Sequence, residues 1–260
     1  MGSPEPRQHP DPEPSSQGGP GAGRSRRTIA VGGGSRGVGK TLLSVNLAVY
    51  LAQLGRSVVI CDADPQGSNL HTMLGLDAGP LALPETIAAT APVETTVPGL
   101  RLMPTGYDAW TMAPKHVTRL AQWLAPLERL DVDYAVLNLG ASISGPSLDA
   151  FCEADVGICA AAPEPAAIEA AYRFCRALFA RRLRRALMCE RFKLRVVERA
   201  LAALPPLPTP LALVAQIGRF DEAVAAAAAL TLRQLGPGLV VGKTRLRRDL
   251  ELGPAMCSLS

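Results

Sequence analysis

Val31–Thr41 has the sequence VGGGSRGVGKT, and the predicted fold follows from this stretch. From Gly34 onward it matches the pattern G-x-x-x-x-G-K-[ST] of a phosphate-binding P-loop. Glycines let backbone N–H groups turn around an anion, and the helix that follows directs its positive N-terminal end at the same phosphates. A β-branched, apolar run precedes the loop and a helical pattern follows it. The stretch predicts nucleotide binding; a Gly-rich turn that binds nothing would not explain Lys40 and Thr41 at the first helical positions.

The candidate nucleotide-binding residues are the eight loop positions Gly34, Ser35, Arg36, Gly37, Val38, Gly39, Lys40 and Thr41. Lys40 is placed to reach the β- and γ-phosphates, which makes it a candidate catalytic residue, and the Thr41 hydroxyl is placed to bind Mg²⁺. The second predicted strand ends in DADPQG, and ligands of an open α/β sheet lie beyond the carboxyl ends of its strands. We therefore expect Asp62 and Asp64 to serve Mg²⁺, and Asp64 also to act catalytically toward the attacking water. A capping Asp before a Pro-Gly turn is the structural alternative.

The order of strand-like and helix-like runs predicts an α/β fold of the P-loop NTPase type, with a mainly parallel sheet and helices on both faces. Residues 1–26 are Pro-rich and polar and are expected to be a disordered tail, so that 27–260 form one domain. Strands are predicted at 28–33, 57–62, 100–103, 134–139, 156–161 and 239–241. Helices are predicted at 40–54, 115–130, 166–204 and 220–235, and the prolines from 205 to 210 are expected to break the third of these helices.

Composition excludes several classes of protein. The six cysteines are scattered without a C-x-x-C pair, and the three histidines lie far from them in sequence, so neither a zinc site nor a disulfide framework is predicted. The N-terminus is polar and Pro-rich rather than a signal peptide, and no apolar run is long enough to span a bilayer. We therefore expect a cytoplasmic protein without a transmembrane segment.

The net charge of +4 conceals a strongly basic segment at 171–199, which holds ten Lys and Arg against two Glu. Nucleic acid or another acidic surface could bind six arginines of its predicted helix: Arg173, Arg176, Arg181, Arg182, Arg184 and Arg185. The alternative is a solvated helix face, since charged runs are usually exposed without a partner.

Several motifs in combination resemble the ParA/MinD family of deviant Walker ATPases, and most closely its FlhG-like members, which act on flagellar number or cell polarity. They are GGG-x-x-GVGKT, NLA at 46–48, DADPQG, NLHTMLG and the run PEPAAIEAAYRF. The resemblance covers roughly residue 27 to the C-terminus. It implies ATP or ADP with Mg²⁺ as ligands, and an ATP-closed homodimer that hydrolysis reopens. It also implies a partner that is DNA, membrane or protein.

The same comparison shows four departures. Ser35 stands where the family has a lysine that reaches the partner's phosphate, and Arg36 replaces the next glycine. Asn138 stands where an Asp would hold the water shell of Mg²⁺, and Gly242 replaces an Asn that contacts adenine. The chain also stops short of the family's final strand and helix. These departures predict a loop that binds nucleotide but hydrolyses it slowly or not at all, since losing a transition-state cation costs about 10³–10⁵ in rate.

Two functions of different class remain open at this stage. One is an ATP-binding switch protein for cytoplasmic positioning or for flagellar or polarity regulation. The other is a pseudo-ATPase scaffold that binds a protein partner constitutively. A metal-cluster carrier or amidotransferase on the same scaffold is disfavoured, because cluster carriers need paired cysteines at the dimer interface and the sequence shows no obvious pair.

Overall fold

The computed structural model describes residues 26–64, 69–76, 91–103, 107–108, 113–114, 127, 129–206, 208–245 and 249. The strands are β1 Arg27–Gly32, β2 Val58–Asp62, β3 Val93–Glu94, β4 Leu100–Met103, β5 Tyr107–Asp108, β6 Ala113–Pro114, β7 Tyr134–Asn138, β8 Val156–Ala161 and β9 Gly238–Val241. The helices are α1 Lys40–Gln53, α2 Leu70–Met73, α3 Gly145–Glu153, α4 Pro165–Ala186, α5 Arg191–Ala202, α6 Pro210–Gly218 and α7 Glu222–Gln234.

Seven strands form one sheet in the order β3-β4-β2-β7-β1-β8-β9, and β5 pairs separately with β6. Every neighbouring pair in the large sheet is parallel except β3 with β4. Parallel strands need crossover connections, and helices supply them here. β1, which carries the loop, lies inside the sheet between β7 and β8.

Alternate residues of each strand face two different cores, as the two-residue period of a strand requires. In β2, Val58 and Ile60 face the core that α1 covers, whereas Val59 and Cys61 face the core that α3 and α4 cover. A third core lies among the helices, where α4 contributes Phe179 and Leu183 to packing with α5, α6 and α7. The prediction of an α/β sheet with helices on both faces is confirmed.

Two helix predictions differ from the structure. The helix expected from Ala166 to Leu204 is two helices, α4 and α5, separated by Leu187–Glu190. The prolines expected only to break a helix also begin one, because Pro210 is the first residue of α6 and Thr209 caps it by accepting a hydrogen bond from Ala212 N at 3.1 Å. A proline at this position loses no helical hydrogen bond, since its missing N–H would have had no partner there.

Two other predictions fall largely outside the described residues: the tail at 1–26, of which only Arg26 is described, and the helix at 115–130. Within the described ranges, no helix is both long enough and apolar enough to cross a membrane.

Candidate functional site

The P-loop connects the end of β1 to the start of α1, as the sequence predicts. Gly37 and Gly39 adopt φ values of +71° and +94°, a region that favours glycine. A Cβ placed on either residue would meet no other atom within 4 Å. The loop therefore presents open backbone at the turn where a phosphate would bind.

The first residues of the loop pack tightly against the backbone of α4 and β8. A Cβ on Gly34 would lie 2.0 Å from the backbone oxygen of Ala170 in α4, and one on Gly33 would lie 2.6 Å from the backbone oxygen of Ala160 in β8. Only glycine permits this approach, so α4 and β8 fix the position of the loop. Gly242, after β9, also packs against the loop, since a Cβ added there would lie 3.3 Å from the backbone oxygen of Val38.

A cavity of about 590 Å³ opens above the loop. Its lining combines the loop, the start of α1, the second residue after β2, the start and end of α2, and the residue after Gly140. These lining residues are Arg36, Gly37, Gly39, Lys40, Thr41, Leu42, Asp64, Asn69, Met73 and Ala141. The volume lies within the range typical of small-molecule sites.

Lys40 is buried, and its ammonium donates a hydrogen bond to the backbone oxygen of Ser35. Burial lowers the pKa of Lys40, while the nearby carboxylate of Asp64 opposes that shift and Arg36 adds to it. A buried cation at the floor of a cavity gains from an anionic ligand, because the ligand replaces the solvation that burial removes.

Asp64 packs directly on Gly140, which has φ of +65°. A Cβ at Gly140 would lie 2.2 Å from the carboxyl carbon of Asp64. Asp62 lies deeper and is buried, and its carboxylate accepts a hydrogen bond from the backbone N–H of Asp64 at 3.4 Å. Thr41 and Asp64, two of the three predicted Mg²⁺ ligands, both line the cavity.

Asn138 ends β7 and is fully buried next to α1. Its Oδ1 accepts a hydrogen bond from the Ser44 hydroxyl at 3.4 Å, and its Nδ2 has no hydrogen-bond partner within the described part of the chain. The single proton of the Ser44 hydroxyl has a closer acceptor in the backbone oxygen of Lys40, at 3.0 Å. Asn138 is neutral where the family resemblance implies an Asp, so it brings no negative charge to a Mg²⁺ water shell.

The structure brings together five of the eight predicted loop residues: Arg36, Gly37, Gly39, Lys40 and Thr41 line the cavity. It places the other three elsewhere. Gly34 faces α4, the Ser35 hydroxyl donates to the oxygen of Arg36, and Val38 is buried with the alanines of β8 and α4. Asp62 is absent from the lining because it lies beneath Asp64.

Sequence reasoning did not identify Leu42, Asn69, Met73 and Ala141 as lining residues. Asn69 and Met73 belong to the motif NLHTMLG that supports the family resemblance, so a signal for them was present. Ala141 enters the site only because β7 and β2 lie side by side, which no local pattern reveals.

The six arginines of α4 are mostly engaged within the protein. Arg181 pairs with Asp149 of α3 at 2.5 Å, and Arg185 pairs with Glu153 at 2.5 Å. Arg173 pairs with Glu169 at 2.5 Å, Arg182 donates to the backbone oxygen of Gln234 at 3.2 Å, and Arg176 stacks on Tyr172. Arg184 makes no ion pair within the described ranges. Three of the six arginines thus pair with carboxylates in the described structure, and binding of nucleic acid or another acidic surface by this segment stays a prediction.

Two cysteines meet in the fold although no sequence pattern pairs them. Cys159 of β8 and Cys175 of α4, sixteen positions apart in sequence (175 − 159 = 16), pack against each other in one core. Cys159 is fully buried, so this pair cannot bridge a cluster between two subunits. No group of three or more His, Cys, Asp or Glu in the described residues is arranged to hold a metal.

Comparisons with known proteins agree with this site. A model of the CobQ/CobB/MinD/ParA nucleotide binding domain matches residues 29–239. An uncharacterized ATP-binding protein of Methanocaldococcus jannaschii is 30% identical over 149 residues, which cover 56% of this chain and 56% of that protein. The septum site-determining protein MinD of Synechocystis is 31% identical over 156 residues, which cover 56% of this chain and 57% of that protein.

A shorter match of higher identity is to the antiactivator FleN of Pseudomonas aeruginosa, 56% identical over 50 residues, or 19% of this chain and 18% of FleN. The matches thus span little more than half the length of the first two relatives and less than a fifth of the third.

Proposed function

This chain belongs to the CobQ/CobB/MinD/ParA family of nucleotide-binding domains, and we propose that it is an ATP-binding switch protein of the ParA/MinD type with weak or absent hydrolysis. The observation that carries the proposal is the cavity above the open turn of the P-loop, with Lys40 buried at its floor. Its cellular role would be cytoplasmic positioning, or flagellar or polarity regulation. The short match to FleN supports the flagellar alternative.

The charge and position of the cavity residues suit them to bind the phosphates of ATP or ADP. Open backbone at Gly37 and Gly39 would hold the phosphates, Lys40 would neutralise them, and Arg36 at the rim would add a second cation. Mg²⁺, when bound, supplies positive charge that neutralises the phosphates. The Thr41 hydroxyl and the Asp64 carboxylate would hold it.

Slow hydrolysis is supported by Ser35 and Asn138. Ser35 offers no charge, and its hydroxyl donates to the neighbouring backbone at 3.3 Å. Asn138 is a buried neutral amide where the resemblance implies a charged carboxylate. Asp64 still lines the cavity, so a carboxylate remains near the phosphate end of the site.

A homodimer across the cavity mouth is the assembly that this site supports. Leu42 and Met73 line the cavity and are exposed, and Ile143 is exposed nearby in sequence to the lining residue Ala141. Exposed apolar side chains at the rim of a polar site favour a covering partner, and a second copy of the chain would bury them.

The test is titration calorimetry with ATP and ADP, with and without Mg²⁺, on the wild type and on Lys40→Ala. We expect binding to the wild type and at least a tenfold weaker Kd for the variant, or about 1.4 kcal/mol. Lys243→Ala is the matched control, since it removes an exposed lysine outside the cavity. Absence of binding to the wild type would overturn the proposal.

Two further measurements separate the switch from a constitutive scaffold. Sedimentation with and without ATP reports dimerisation, which the switch requires and the scaffold does not. Single-turnover hydrolysis with excess protein reports chemistry. Rapid Mg²⁺-dependent ADP formation that Lys40→Ala abolishes would contradict impaired hydrolysis while leaving nucleotide binding intact.

A further inference from the structure

Two thiols meet behind the P-loop. Cys159 lies in β8 and is fully buried, and Cys175 lies in α4 and is partly buried. The two side chains pack in the same core and share a thiol hydrogen bond. They are the described cysteines that contact each other across a strand–helix junction; Cys61, Cys152 and Cys189 stand in other positions.

Both cysteines sit on the elements that hold the P-loop in place. Cys159 is the β8 partner of Gly32, the last residue of β1 before the loop. Cys175 lies five residues after Ala170, whose oxygen meets the loop at Gly34 (175 − 170 = 5). The charge of Lys40 also acts on the Cys159 thiol, so the pair lies within electrostatic reach of the phosphate site.

We propose that Cys159 and Cys175 form a reversible disulfide that weakens nucleotide binding, so that the P-loop carries a redox-controlled modification site. This inference rests on the proposed nucleotide binding at the adjacent loop. The physical link is the tight contact between α4 and Gly34, which leaves the loop no room if α4 moves.

The chemistry balances with a peroxide as the oxidant. The thiolate sulfur of Cys175 attacks one oxygen of hydrogen peroxide, so that an S–O bond forms, the O–O bond breaks, and hydroxide leaves and is protonated to water. The Cys159 thiol then loses its proton and attacks the sulfur of Cys175. An S–S bond forms, the S–O bond breaks, and a second water leaves. Two thiols lose two electrons, and the peroxide gains them.

The environment fits these two roles. The hydrogen bond from the Cys159 thiol lowers the pKa of Cys175, with burial opposing the shift. The same hydrogen bond, together with burial, raises the pKa of Cys159. Cys175 is also the more accessible of the two. It is therefore the attacking sulfur, and Cys159 is the resolving one.

A disulfide fixes the spacing of α4 and β8, because its sulfurs are held about 2.05 Å apart with a specific geometry. The loop at Gly34 has no gap against α4, so any shift of α4 that the bond imposes reaches the phosphate-binding turn. By linkage, a nucleotide that requires the reduced arrangement must also make the disulfide less favourable at equilibrium.

The experiment treats the full chain with hydrogen peroxide. Peptide mapping locates any disulfide, and calorimetry with ADP follows oxidation and then reduction by dithiothreitol. We expect a Cys159–Cys175 link, a Kd for ADP at least tenfold weaker, and full recovery on reduction. Cys189→Ser is used throughout, because that exposed thiol would otherwise cross-link molecules.

Cys175→Ser should bind ADP whether or not it is oxidised, and Cys152→Ser, another partly buried thiol, should behave as the wild type. If Cys175→Ser does not fold, mapping of the wild-type disulfide decides the question. A disulfide elsewhere, none at all, or a Cys159–Cys175 disulfide that leaves ADP affinity unchanged would overturn the inference. If the reduced wild-type protein does not bind ADP, the proposed nucleotide-binding function is refuted. The peptide map still shows, independently of that result, whether the Cys159–Cys175 disulfide forms.

Discussion

Replacing Gly140 with Ala tests how Asp64 is held in the site. The new Cβ would lie 2.2 Å from the carboxyl carbon of Asp64, so the carboxylate must leave its position in the cavity. Gly140 also has φ of +65°, where an L-residue costs roughly 1–2 kcal/mol. Gly140→Ala therefore combines backbone strain with displacement of a Mg²⁺ ligand.

Gly55→Ala is the matched control. Gly55 has φ of +75°, and a Cβ there meets no atom within 4 Å. It carries the same backbone strain without touching the site. We expect both variants to melt roughly 2–8 °C below the wild type, as a loss of about 1–2 kcal/mol implies for a chain of this size.

Calorimetry with ADP, with and without Mg²⁺, separates the two effects. We expect Gly55→Ala to keep the wild-type enhancement by Mg²⁺. In Gly140→Ala the enhancement should fall by about tenfold, within the range seen when support for a metal ligand is lost. If both variants keep the full Mg²⁺ enhancement, Asp64 does not serve the metal and the reasoning is refuted.

Three further predictions concern buried charge and the basic helix. Asn138→Asp should destabilise the nucleotide-free protein by roughly 3 kcal/mol, because it buries an unpaired carboxylate. The same variant should increase the Mg²⁺ dependence of ADP binding. Equal melting temperatures for variant and wild type would contradict the expected destabilisation. The hydrogen bond from Arg181 lowers the pKa of Asp149, so the stability from that pair is present above about pH 4 and is lost as the pH falls further. Asp149→Asn should flatten acid denaturation curves below that pH, and an unchanged slope would show that the pair is not responsible. Binding to duplex DNA should show a salt slope equivalent to about three phosphates or fewer, because Arg176, Arg182 and Arg184 are the α4 arginines outside ion pairs in the described structure. A steeper slope would favour the nucleic-acid interpretation.

Local patterns were sufficient for most of the sheet. The apolar, β-branched runs around Ile29, Val59 and Val136 are fully buried strands, and buried strands of a parallel sheet have continuous apolar sequences. The loop was equally predictable, because its glycines and lysine occur at a spacing that few other structures require. These features depend on neighbours in sequence, which is why the sequence alone reveals them.

The missed features depend on distant contacts. Leu187–Glu190 contains neither Pro nor Gly, so nothing local marks the break between α4 and α5; packing of Leu187 into the helical core accompanies it. The contact of Asp64 with Gly140 and that of Cys159 with Cys175 each join separate elements. Their existence follows from strand order and helix docking, which hydrophobic periodicity does not encode.

The position of β1 inside the sheet has a consequence for how the site opens. Its backbone is hydrogen-bonded to β7 on one side and to β8 on the other, so releasing the loop requires breaking both ladders. Amide protons of β1 should therefore exchange with solvent only on global unfolding. The opposite wall rests on α2, a four-residue helix anchored by the buried residue Leu70 and by the buried Leu74 directly after it. Entry and exit of a ligand would use this thin wall, while the phosphate-binding turn stays fixed.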